Sequence, residues 1–144
     1  MNNEKTKGKI EPRMLLSVLW TFLVANYIYC DVFTHTNPED LKVILNGGSG
    51  DIKITPIFLL YFSIVMELPI LMIILSRILP VIINRWANIV IAFLMILVQL
   101  WSLFGTGSSA TPHYIFFSII EISCNLAIMV YAWINLKPAK NILN

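Results

Sequence analysis

Val65-Met66-Glu67-Leu68-Pro69-Ile70 places a carboxylate and a proline near the middle of an apolar run long enough to cross a bilayer. A charge at that depth is costly, so something must satisfy it. The other apolar runs offer partners: Asn26 and Asp31 in the first, Gln99 in the third, Glu121 and Asn125 in the last. The pattern predicts an all-α integral membrane four-helix bundle packed around these groups.

Composition points the same way. Of 144 residues, 58% are hydrophobic and 12% charged, and the mean hydropathy is +0.78. A soluble domain carries about 25% charged residues. One domain of this size cannot hide so much apolar surface from water, so the bilayer serves as solvent for most of it. A formal charge of +2 is too small to suggest nucleic acid as a partner. The two cysteines, Cys30 and Cys124, fall at different depths of their runs, which argues against a disulfide. Neither a C-x-x-C pair nor four metal-ligand cysteines occur, so a redox dithiol or a structural zinc is not indicated.

Along the chain, residues 1–13 form a polar tail with Lys5, Lys7, Lys9 and Arg13. The first span follows at about 14–33. It is longer than a typical signal-peptide core, and no A-x-A pattern closes it. In the loop of residues 34–55, Asn37 suits an N-cap, Pro38 the first helical position, and Glu39 and Asp40 the positive end of a helix dipole. Leu41, Ile44 and Leu45 make one apolar face, and Gly47 and Gly48 end it. The expectation is a short amphipathic helix lying at the membrane surface or capping the bundle, with a hinge at 47–50. Thr55-Pro56 opens a second span at 56–79, in which Pro69 leaves the carbonyl of Val65 without a helical donor. Asn84 is the expected cap of a third span at 85–104. After an uncharged loop at 105–111, Thr111-Pro112 opens a fourth span at 112–136, and a tail at 137–144 ends the chain.

Eight of the ten lysines and arginines fall on one side of these spans; Lys42 and Lys53 fall on the other. The positive-inside rule then puts both termini in the cytoplasm of a plasma (inner) membrane protein. His35 and His113 fall at the outer face. Tyr61, Trp86, Trp101, Tyr131 and Trp133 suit the interfacial belts, and Arg77 and Arg85 the inner headgroups.

At about 1.5 Å per residue, Glu67 lies about 16 Å, Glu121 about 13 Å and Gln99 about 8 Å below the outer helix ends, with Asp31 shallower. No lysine or arginine shares those depths. A carboxyl buried without a cation tends to keep its proton and can donate to Asn or Gln; otherwise an ion, a cationic ligand or water supplies the partner. Tyr114, Ser118, Glu121 and Asn125 recur at i, i+4, i+7 and i+11 on one helical face, and Tyr27 shares a face with Asp31. Asn88, Gln99 and Ser102 form another stripe. Turned inward, these faces give a polar pocket opening outward under the short helix, lined by Glu67, Glu121, Asp31, Asn26, Gln99, Asn125, Tyr27 and Ser118. Interhelical polar glue is the competing reading. His35, His113 and Asp31 have the chemistry of a metal site, but their spacing matches no recognised motif. P-loop, nucleophile-elbow and H-E-x-x-H patterns are missing. No reaction is named by any motif.

The segments 26–32, 66–70, 84–89 and 116–122, in that order and spacing, resemble a bacterial family of small four-helix membrane proteins known only as a domain of unknown function. The resemblance covers about residues 13–135 and implies four spans and no assigned activity. In architecture the chain also resembles DoxX-like proteins, some of which are accessory membrane subunits of respiratory quinol oxidation, and EXPERA-type proteins, whose enzyme members isomerise sterols. Fold alone does not carry function. Three readings stay open: a pocket for a small amphipathic ligand such as a quinone or lipid, a non-enzymatic accessory or assembly subunit (with a second copy or a membrane protein as partner), and a proton-coupled small transporter.

Overall fold

The structure is a computed structural model and describes residues 10–49, 52–105 and 110–137. Lys5, Lys7, Lys9 and Lys140, the end of the expected hinge at Gly50, and residues 106–109 of the uncharged loop lie outside the described residues. The helices are α1 (Pro12–Thr36), α2 (Pro38–Leu45), α3 (Pro56–Ile78), α4 (Val81–Phe104) and α5 (Pro112–Asn135). The four long ones are each long and apolar enough to cross a membrane, so this is a multi-pass membrane protein.

Proline starts them all. Pro12, Pro38, Pro56 and Pro112 occupy the first turn of α1, α2, α3 and α5, and Pro80 immediately precedes α4. Its missing N–H is no loss there, because the first turn has no acceptor to offer it. Thr55 Oγ1 accepts from the Phe58 N–H at 3.2 Å, and Asn37 Oδ1 from the Glu39 N–H at 3.3 Å, so both act as N-caps.

Asn84 does not cap its helix. α4 begins at Val81, and the Asn84 N–H already donates to the Pro80 carbonyl at 2.8 Å. Its side chain is buried and reaches sideways to α3. Pro80, with its extended backbone, ends the preceding turn and lets the helix start one turn earlier than the polar residue suggested.

The long helices pack in the cyclic order α1, α3, α4, α5, with α3 against α4 the sparsest seam. Arg13 near the start of α1 donates to the Arg77 carbonyl near the end of α3, and Ser102 near the end of α4 bonds Tyr114 near the start of α5. The bundle therefore runs up and down, with Arg13, Arg77 and Arg85 at one end. We call this the basic end. There the Arg85 guanidinium lies 3.8 Å from the centre of the Trp133 ring, which meets Trp86 edge-on.

The apolar core is Leu16, Trp20, Leu23, Met72, Ala92, Met95, Cys124, Ile128, Ala132 and Leu136. These positions occupy the early part of α1 and the late parts of α3 and α5, so the dry core fills the middle and basic half. The opposite half is packed differently. In α3 only Pro69, Met72 and Ser76 are buried, all in its second half. From Pro56 to Ile64 every residue but Phe58 is exposed.

The short helix α2 is present but buries no residue. It packs against α1 and leads into a two-residue antiparallel ribbon, Gly48–Ser49 with Ile52–Lys53. Gly47 turns the chain between them with φ of 85°, a left-handed conformation that glycine adopts without strain.

Candidate functional site

Two polar clusters lie inside the bundle, and they differ in whether their hydrogen bonds close. The first is in the basic half. Trp20 Nε1 donates to Asn88 Oδ1 at 2.7 Å, and Ser76 Oγ donates to the same oxygen at 3.3 Å. Asn88 Nδ2 donates to the Asn84 carbonyl at 2.8 Å and to Asn84 Oδ1 at 2.7 Å. Asn84 Nδ2 closes the ring on the Ser76 carbonyl at 2.6 Å, and nearby Ser17 donates to the Ile73 carbonyl at 2.7 Å. Every amide in it is engaged and Ser76, Asn84 and Asn88 are fully buried. A saturated network of this kind joins α1, α3 and α4 and leaves nothing for a ligand. The i, i+4 pair Asn84 and Asn88 is its sequence signal, which reading Asn84 as a cap obscured.

The second cluster is in the opposite half. The α5 face carrying Ser118, Glu121 and Asn125 is turned into the bundle, each of the three about 1% exposed. Gln99 on α4 donates through Nε2 to Ser118 Oγ at 2.6 Å, and Ser118 Oγ donates in turn to the Tyr114 carbonyl at 2.7 Å. Asn125 Nδ2 donates to the Tyr27 hydroxyl at 3.2 Å and to the Glu121 carbonyl at 3.0 Å. Here the accounting does not close. Glu121 Oε1 and Asn125 Oδ1 are buried and have no hydrogen-bond partner among the described residues. Buried polar atoms in native proteins are overwhelmingly paired, so two orphan acceptors one helical turn apart are a signature worth following.

A cavity of about 140 Å³ is lined in part by Glu121. Its wall comes from all four long helices: Tyr27, Cys30, Asp31 and Thr34 of α1, Phe62 and Met66 of α3, Val98, Gln99 and Ser102 of α4, Tyr114 and Glu121 of α5. Four of the eight residues expected at the site therefore meet in one cavity: Tyr27, Asp31, Gln99 and Glu121. Asn125 lies just behind, bonded to Tyr27. Ser118 is bonded to Gln99 and borders a separate apolar groove with Leu103, Ile115 and Ile119. Cys30, Thr34, Ser102 and Tyr114 add further polar groups to the wall; Tyr114 and Ser102 were visible as members of the two polar stripes. No residue of α2 lines the cavity, so α2 does not roof it.

Two expected residues sit elsewhere. Glu67 is exposed on α3 and is not on the cavity wall. It lies two residues before the buried Pro69, about 200° around the helix at 100° per residue, which turns it outward. Asn26 is half-buried at the edge of the α1 stripe, and its amide turns back to the Phe22 carbonyl at 2.9 Å.

The histidines do not gather a metal site. His35 Nδ1 pairs with the Asp31 carbonyl at 2.6 Å, while His113 Nε2 lies 3.5 Å from Thr34 Oγ1 and 3.3 Å from Thr111 Oγ1. Among the described residues no group of three His, Cys, Asp or Glu side chains could hold a metal ion. Cys30 and Cys124 are both buried free thiols.

The profile of a family of unknown function, DUF6326, matches residues 6–141, nearly the whole chain. The chain belongs to this family. No curated protein and no solved structure matches it. None of these comparisons links this DUF6326 chain to DoxX-like or EXPERA-type proteins. Inside this bundle one polar cluster is closed on itself and another is left open beside a cavity.

Proposed function

We propose that this protein binds a small amphipathic molecule, such as a lipid or quinone, with its polar end in the cavity between the four spans. The observation that carries this is Glu121, which lines the cavity and has a buried, unpartnered carboxyl oxygen, with a second orphan oxygen on Asn125 one helical turn further along α5. A site that serves only to hold helices together would have closed its hydrogen bonds, as the Asn84–Asn88 cluster does. The loosely packed first half of α3 gives an apolar tail a place to lie beside the cavity. We also propose a plasma-membrane protein with the basic end in the cytoplasm, on the positive-inside rule. The cavity then belongs to the outer half of the bilayer.

The test is native mass spectrometry of protein purified in mild detergent. A small molecule retained by the wild type and lost from Glu121→Gln is the expected result. A ligand-free species in both, or the same adduct in both, overturns the reading.

One observation favours a second reading, an accessory or assembly subunit. Glu67 is exposed on a helix that buries only three residues, in the middle of a span. A carboxylate facing lipid is costly, and a partner helix would relieve it. A complex recovered from native membranes that dissociates on Glu67→Leu supports this reading. A monomer in both counts against it.

A further inference from the structure

The wall of the cavity is one-sided in its chemistry. Two carboxyl groups, Asp31 and Glu121, line it, and among the described residues no lysine, arginine or histidine does. The amide nitrogens are already committed, Gln99 Nε2 on the wall to Ser118, and Asn125 Nδ2, behind it, to Tyr27 and the Glu121 carbonyl. What remains unmatched is acceptor oxygen, at Glu121 Oε1 and Asn125 Oδ1, on side chains about 1% exposed. The missing complement is therefore a donor or a positive charge.

The remaining wall says which kind. Tyr27, Phe62 and Tyr114 bring aromatic rings to the cavity, and Met66 and Val98 bring apolar surface. Aromatic faces attract cations, above all alkylated ammonium groups whose carbons also need apolar contact. A bare metal ion is poorly served, because the described residues contain no three-ligand cluster. The volume of about 140 Å³ suits a head group; whole drug-sized ligands occupy sites of about 300–1,000 Å³.

We propose that the cavity takes an organic ammonium group, the head of a cationic amphiphile, held between the Glu121 and Asp31 carboxylates and the rings of Tyr27, Phe62 and Tyr114. This rests on the reading of the cavity as a ligand site and adds the charge and class of the ligand. Glu121 supplies the buried charge, and Asp31, exposed at the flank, supplies attraction on entry. The tail lies along the exposed first half of α3.

The experiment compares two probes with one tail, decyltrimethylammonium and decanoate, titrated onto the full chain in a nonionic maltoside detergent. Binding is read by native mass spectrometry and by tryptophan fluorescence in wild type, Glu121→Gln, Asp31→Asn and Glu67→Gln. The expected result is one saturable cation site, at least tenfold tighter for the ammonium than for decanoate. Glu121→Gln weakens it at least tenfold, and Glu67→Gln leaves it unchanged. Decanoate binding as tightly as the ammonium, with the same dependence on Glu121, overturns the cationic assignment and leaves the ligand site standing. Binding of both probes indifferent to Glu121 overturns both. Should Glu121→Gln fail to fold, Asp31→Asn carries the test, and an unchanged ammonium affinity there overturns the proposal.

Discussion

Trp20 and Asn88 are joined diagonally across the bundle, from α1 to α4, by a 2.7 Å hydrogen bond between the indole N–H and the amide oxygen. The bond ties together two helices that are not neighbours in the ring. It also completes a buried network in which Asn88 uses both of its amide groups twice. This half of the protein is fixed by polar bonds inside a dry core. The other half keeps a cavity and two unpaired oxygens. Among the described residues the unpaired buried acceptors are thus confined to that half, while the basic half leaves one donor, Arg85 Nε, unpaired.

Asn88→Ala should cost stability without touching the cavity. It strips partners from the Trp20 N–H, the Ser76 hydroxyl and Asn84 Oδ1 together. A buried group left unpaired costs about 1–3 kcal/mol in water-soluble proteins. Interhelical bonds in membranes average about 0.6 kcal/mol, because the unfolded helices also find partners. A loss of roughly 1–3 kcal/mol is expected for three groups at once, read from detergent-induced unfolding in mixed micelles. Trp20→Phe should lose less, since Asn88 Oδ1 keeps Ser76. A wild-type unfolding curve for Asn88→Ala would mean that the network contributes no stability.

The sequence carried the four spans, because spans announce themselves by length, and proline marked the starts at Pro38, Pro56 and Pro112; the starts after Glu11 and Pro80 were read two and four residues late. The inward face of α5 was legible from the i, i+4, i+7, i+11 recurrence of Tyr114, Ser118, Glu121 and Asn125. Glu67 was misplaced for a physical reason: depth in a run says how costly a charge is, and says nothing of which way it points. That direction is set by which stripe of α3 packs, and the stripe through Pro69, Met72 and Ser76 contains few polar cues. The same gap hid the closed cluster, since Asn84 reads equally well as a cap until the neighbouring helix is in place.

Glu67→Leu should leave the isolated protein as stable as the wild type, or more stable. The side chain is exposed, makes no hydrogen bond among the described residues, and lies off the cavity wall. Replacing a charge at the lipid face by leucine removes a desolvation cost. Thermal unfolding of the monomer in detergent checks this. A loss above about 1 kcal/mol, beyond the usual range for surface substitutions, would show that Glu67 has a partner in the folded protein.

Asn37→Ala should loosen α2 and nothing else. The Asn37 side chain accepts from the Glu39 N–H and donates to Asp40 Oδ2 at 2.8 Å. Losing an N-cap costs about 1 kcal/mol. Because α2 buries no residue, that loss is not shared with the bundle core. Amide hydrogen exchange over 38–45 should speed up while the spans keep their wild-type protection. Faster exchange in α1 or α5 would show that α2 braces the bundle.

The two cysteines give an internal comparison for the cavity. Cys30 is on its wall, whereas Cys124 is not and points its thiol toward the Leu19 carbonyl at 3.9 Å. Both are buried, so both should react slowly with a small maleimide in the folded protein and fast when unfolded. Native reaction at Cys30 needs only the loosely packed half to open, and reaction at Cys124 needs the dry core to open. Cys30 should therefore label faster, measured in single-cysteine variants Cys124→Ala and Cys30→Ala. A molecule seated between Tyr27, Asp31 and Glu121 covers Cys30 and leaves Cys124 as it was. Protection confined to Cys30 places the molecule in the cavity. Equal protection of both would mean that it stabilises the bundle from outside, because only a global change in opening reaches the two sites alike.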